Sequence, residues 1–141
     1  MSTSLAKKVL DHVGFQVKTV FTGLEEAQWS HRIHPESMTP FEMITHLTEC
    51  CRAAAYRISR DEEFPDWGKT QMSGSTPDEW MEEFHATRSQ AISAGLEKAD
   101  EKSLDTLMDL LALHEAYHVG QMCTLRLDLD PKWNPLSIYG M

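Results

Sequence analysis

Apolar residues along this chain recur at helical spacing, and no stretch alternates in the manner of a strand. The first helical stretch runs from about Ser4 to Trp29, with Leu5, Val9, Val13, Gln16, Val20 and Leu24 in period, and is loosened at Gly14 and Gly23. The second runs from Pro40 to about Arg60 on a stripe of Ile44, Leu47, Cys51, Ala54 and Ile58, flanked by Met43, His46 and Cys50. The third, Pro77 to about Lys98, places Met81, Phe84, Arg88, Ala91 and Gly95 near one line. The fourth, from near Ser103 to near Asp128, carries Leu104, Leu107, Leu111, His114, His118, Met122 and Leu125. Thr39-Pro40-Phe41-Glu42 and Thr76-Pro77-Asp78-Glu79 each read as a capping box with proline at the first helical position. Asp130-Pro131 stops the last helix.

Between these stretches, Asp61 to Ser75 is polar, with Pro65, Gly68 and Gly74, and reads as a long connection. The tail from Trp133 to Met141 is too apolar to be left in water and is expected to fold back on the helices. Four amphipathic helices without a strand predict an all-α four-helix bundle, as a single domain over residues 1–141. The long middle connection permits a helix order other than simple up-down-up-down.

Charge narrows the class of partner. The chain has 141 residues and a formal net charge of −9. A nucleic-acid binder draws most of its affinity from basic side chains on phosphates, so none is expected here. No stretch reaches the roughly 20 apolar residues of a membrane span. The N-terminal residues Met1 to Lys8 lack a signal peptide's apolar run, so a cytoplasmic setting is expected. The odd cysteine count, Cys50, Cys51 and Cys123 with no C-x-x-C, fits a reducing compartment, and vicinal Cys50 and Cys51 read as small core fillers.

The chemistry lies in the fourth helix. His114 and His118 stand i, i+4, about 6 Å apart along the axis and on nearly one face. Burying two imidazoles is unfavourable unless each nitrogen finds a partner, and one metal ion partners both. His114-Glu115-Ala116-Tyr117-His118 also spells the zinc-protease pattern H-E-x-x-H. The longer protease form fails, because position 121 is Gln and position 124 is Thr. With no strand to hold a peptide either, a protease is not expected. A third ligand must come from elsewhere. His31 and His34 flank a proline-containing loop, while His12, His46 and His85 each lie on or near a helix stripe, and periodicity does not choose among those three.

The string His114-Glu115-Ala116-Tyr117-His118-Val119-Gly120-Gln121, followed by Leu125-Arg126, resembles the last helix of the DinB-like family of metal-binding bundles. Ser37 to Leu47, with its cap and its single histidine, is similar to that family's second helix. The resemblance implies His46, His114 and His118 as the three ligands, a four-helix bundle of unusual helix order, and a homodimer. It also implies a link to transferases and isomerases that use bacillithiol or mycothiol.

Three neutral imidazoles leave the metal's remaining positions open, which is the pattern of a catalytic site. Zinc, nickel and iron all suit such ligands. A thiol held on the metal is deprotonated, so the expected reaction is thiol S-transfer or thiol-dependent isomerisation of a small-molecule substrate, with a low-molecular-weight thiol as co-substrate. Metal-activated water would give a hydrolase instead, and a plugged site would leave a non-catalytic metal- or ligand-binding bundle. Around the site, Glu49 stands three residues after His46 as a candidate hydrogen-bond acceptor for a ligand, proton acceptor or fourth ligand, the plainer and preferred reading being a solvated glutamate on the helix surface. Glu115 is placed to hydrogen-bond a metal ligand on a neighbouring helix or to face solvent, and Gln121 to make a helix or substrate contact. Arg88, on an apolar line, is expected to pair with a glutamate, the alternative being a substrate carboxylate, and His12 is a candidate for the cavity wall. Tyr117 and the tryptophans read as packing.

Overall fold

A computed structural model describes residues 1–141. Its helices are α1 (Thr3–Phe21), α2 (Pro40–Arg60), α3 (Pro77–Lys98), α4 (Glu101–Leu107) and α5 (His114–Leu129), with 3-10 turns at Glu26–Ser30 and Pro135–Tyr139. A six-residue π-helical segment, Met108–Leu113, joins α4 to α5 in one column. The protein is therefore an all-α bundle of four columns with no strand, as the apolar spacing predicts. No helix is long and apolar enough to cross a membrane.

The starts of α2 and α3 follow from their caps. Thr39 accepts from the N–H of Glu42, and the Glu42 carboxylate accepts from the N–H of Thr39, closing a capping box. At α3 only half of the expected box forms. Thr76 accepts from the N–H of Glu79, but the Glu79 carboxylate reaches one residue further back, to the N–H of Ser75. The fourth column begins two residues before the expected Ser103, because Asp100 accepts from the N–H of Ser103 and caps it.

The expectation of one helix from Ser4 to Trp29 is corrected. α1 stops at Phe21, Thr22 turns to extended backbone, and Gly23 takes a φ of 83°, a left-handed conformation that glycine adopts without a steric penalty. Glu25 and Gln28 then cap a separate 3-10 turn. The exposed α1 carbonyls find a partner in α5, where the Arg126 guanidinium donates to the carbonyls of Val20 and Thr22.

In the core, Leu10, Ile44, Leu47, Phe84, Leu107, Leu111, Met122 and Leu125 are almost wholly buried, and burial of each such side chain favours the fold by roughly 1.5–3 kcal/mol. α2 packs along α3, while α1 lies mainly on α5 and the π segment. The chain thus crosses the bundle between α1 and α2 instead of forming a simple hairpin. Trp29 stacks on Phe21 with ring centroids 5.3 Å apart, and Trp80 meets Trp29 edge-on, so these tryptophans pack as expected. The tail folds back: its 3-10 turn contacts α1, and the Arg126 guanidinium lies 5.2 Å from the Trp133 ring centroid.

Candidate metal centre

The structure brings His46 of α2 against His114 and His118 of α5. The ring centroids are 4.7 Å apart for His46–His114, 5.2 Å for His46–His118 and 4.7 Å for His114–His118. His114 Nε2 lies 3.0 Å from His46 Nε2 and 3.0 Å from His118 Nε2. His118 is buried, and the other two rings are half-buried.

Protons alone do not satisfy this arrangement. His118 Nδ1 lies 2.7 Å from Gln121 Oε1, while the Gln121 amide nitrogen donates to the Tyr117 hydroxyl. An amide oxygen only accepts, so His118 carries its proton on Nδ1 and presents a lone pair at Nε2. If His114 Nε2 bears a proton, it donates to one neighbouring Nε2 and leaves the other contact unmade. If His114 Nε2 is unprotonated, it faces His118 lone pair to lone pair. One of the two 3.0 Å contacts is therefore never a hydrogen bond between neutral rings. A divalent cation satisfies both, since nitrogens each about 2.0–2.1 Å from one ion are separated by roughly 3 Å.

The electrostatics keep the rings neutral. Burial lowers the pKa of all three, opposed at His46 by the Glu49 carboxylate and reinforced at His114 by His46. His118 is pushed furthest, to about 4, by burial first and by His114 second. A base whose pKa is depressed by folding binds more protons unfolded than folded between the two values. Stability of the metal-free protein should therefore fall as the pH is lowered from 6.5 toward about 4, and chemical denaturation in the presence of a chelator at stepped pH measures it.

A fourth group at the centre is Cys50, whose sequence context suggests only a small core filler. Cys50 Sγ lies 3.1 Å from His114 Nδ1 and 4.0 Å from His46 Nε2. His46, Cys50 and His114 form a compact cluster able to hold a metal ion, their ligand atoms all within 4.8 Å of one another. The signal was present in the sequence: His46-x3-Cys50 has the same i, i+4 spacing as His114-x3-His118. Burial, with Glu49 and Glu115 nearby, raises the Cys50 thiol to about 12, so it stands protonated beside the rings.

Of the remaining candidates, Arg88 pairs as expected, while Glu49, Glu115 and His12 are placed differently from the expectation. Glu49 is buried, and its carboxylate accepts from the N–H of Gly68 at 3.0 Å and of Thr70 at 3.1 Å. Burial opposes its charge, but these bonds outweigh burial and hold its pKa below the usual carboxylate value. Glu49 thus anchors the long connection, and as a proton acceptor or fourth ligand it is already engaged. Glu49→Ala should destabilise the fold by about 1–3 kcal/mol while leaving metal uptake in place, a pair of results read by urea denaturation and elemental analysis.

Glu115 faces neither solvent nor the rings. It is 1% exposed and grips Arg88 bidentately, with Nε to Oε2 at 2.8 Å and Nη2 to Oε1 at 2.9 Å. Arg88 also donates to the Leu10 carbonyl, so the expected pairing with a glutamate forms and ties α1, α3 and α5 together. The guanidinium lies against Gly14, where a Cβ would sit 2.8 Å from Nη1. That close approach leaves no room for a side chain at this position of α1 unless Arg88 shifts. His12 is exposed and lines no part of the centre. His85 is half-buried on α3, apart from the cluster, and His31 pairs with Asp128 at 2.7 Å.

Fold and site together describe a helical bundle with a histidine-rich cluster, including a cysteine, capable of holding one metal ion. Residues 16–122 match the family model described as the DinB superfamily. The chain belongs to the DinB superfamily. No curated protein and no solved structure matches it.

Proposed function

We propose that this chain is a divalent-metal-binding bundle whose open His46, His114 and His118 site serves thiol S-transfer or a thiol-dependent isomerisation of a small molecule. The observation that carries the reading is the meeting of His114 Nε2 with the Nε2 atoms of His46 and of His118, two contacts that protons alone do not satisfy. Family membership supports it. The proposal extends to a homodimer in the cytoplasm and to zinc, nickel or iron as the metal.

A metal bound there supplies one thing, a thiol held as thiolate at neutral pH. The protein's side chains do the rest. Neutral imidazoles add no charge to the ion, so its acidity toward a bound thiol is retained. Gln121 fixes the ring of His118, and such partners of a ligand typically matter 10–100-fold in metal affinity. Cys50 is almost fully buried, so the reacting thiol is supplied from solution as a small molecule. In S-transfer, a bond from that sulfur to an electrophilic carbon forms as the carbon's bond to its leaving group breaks, and the thiol proton passes to solvent.

The test is elemental analysis of tag-free protein beside His46→Ala, followed by thiol consumption with an electrophile such as 1-chloro-2,4-dinitrobenzene. About one metal ion per chain in the wild type, lost in the variant, and metal-dependent consumption of the thiol support the reading. A wild type that takes up no ion after incubation with each metal overturns it.

A further inference from the structure

A cavity of about 170 Å³ opens beside the histidine centre, between the segment leading into α2 and the outer face of α5. Ile33, Met38, Met43 and Leu125 make its apolar wall. Met43 lies about one turn before His46 on α2, and Gln121 about one turn beyond His118 on α5. Gln121 is both wall and link, since its Oε1 accepts from His118 Nδ1. Neither this cavity nor the larger one of about 620 Å³, bordered by Lys18, Asp78, Glu82 and His85, is lined by the three histidines or Cys50, but only the smaller has a lining residue hydrogen-bonded to one of them.

The polar atoms of this wall are already engaged. Ser37 Oγ donates to the His34 carbonyl and accepts from the His34 N–H. Thr124 Oγ1 donates to the Gly120 carbonyl. Both ends of the Gln121 amide have partners, and no charged residue lines the space. A charged ligand group entering here would lose water and find no opposite charge in the wall, which is unfavourable. An apolar group gains burial, and thioethers adapt to its shape. As a guide to size, an apolar cavity of about 150 Å³ holds benzene.

We propose that this cavity seats a neutral, apolar group of the substrate, no larger than about a benzene ring, and that Gln121 joins that seat to the histidine centre. The inference rests on the proposed function, which makes the histidine centre the place where a small molecule reacts.

The test is a titration of the full chain, ¹³C-labelled at the methionine methyls, with benzyl alcohol, benzoate and 2-naphthalenemethanol as probes. Thr124→Trp serves as the blocking variant, because Thr124 is exposed and its replacement leaves the core intact. Benzyl alcohol should shift the Met38 and Met43 methyls, with benzoate and the naphthalene at least about tenfold weaker, and Thr124→Trp should weaken benzyl alcohol by a similar factor. Unmoved Met38 and Met43 signals, or benzoate binding as well as the alcohol, overturn the assignment. Metal uptake by the same samples is read separately. Lost uptake with retained probe binding sinks the proposed function and not the cavity; retained uptake without probe binding does the reverse.

Discussion

Arg88→Ala should destabilise the protein by about 3–5 kcal/mol, the largest single loss expected outside the hydrophobic core. Arg88 is 8% exposed and Glu115 1%, so removing the guanidinium strands a buried carboxylate and also frees the Leu10 carbonyl. Arg88→Lys should recover only part of the loss, because an ammonium does not reproduce the planar, two-pronged grip. Arg88→Met combined with Glu115→Leu should be milder than either truncation, since it removes both charges and fills the space. Equilibrium urea unfolding followed by helical circular dichroism ranks these variants. An Arg88→Ala protein as stable as wild type would show that the pair does not anchor α1, α3 and α5.

His114→Ala should have the largest effect on metal binding, well beyond the roughly 100-fold that follows loss of a ligand's supporting partner. His114 is central to both groupings of donors: its Nε2 touches His46 and His118, and its Nδ1 touches Cys50. Truncating it should leave the helices formed, because the ring is half-buried and its close polar neighbours are the side chains of His46, Cys50 and His118. Isothermal titration with zinc measures the affinity. The same titration of Cys50→Ala and His118→Ala decides which residue completes the set. If zinc affinity collapses in His118→Ala and changes modestly in Cys50→Ala, the thiol supports His114 from behind; the opposite order makes Cys50 the ligand.

Much of this was legible in the sequence, for local reasons. The starts of α2 and α3 were encoded by a threonine, a proline and a glutamate within four residues, and their ends lie at Arg60 and Lys98 as the stripes implied. The His114–His118 pair was visible because its geometry lies within one helix. The choice of His46 over His12 and His85 was not visible in periodicity, since all three sit on or near a stripe; it came from the family resemblance. What failed depended on distant contacts. Gly14 and Gly23 look alike in sequence, yet one stays inside α1 against Arg88 while the other ends the helix beneath Arg126. Glu49 read as a partner of His46, but its carboxylate is taken by backbone N–H groups about twenty residues on. Cys50 was hidden by its own burial, which suits a core residue as well as it suits a neighbour of the rings.

The π segment Met108–Leu113 has a bearing on how the fourth column tolerates change. A π turn takes up one residue more than an α turn, so every side chain beyond it is set back by about 100° relative to an unbroken helix of the same residues. The column is two shafts joined by a coupling. Below the coupling, Leu104 and Leu107 keep step with α2 and α3. Above it, His114 and His118 keep step with His46. Loss of one residue at the exposed Asp109 would straighten the coupling into ordinary α-helix yet leave the upper shaft in step, so both histidines would still face α2, whereas the same loss within the upper shaft, between His114 and His118, would set the two rings on different faces.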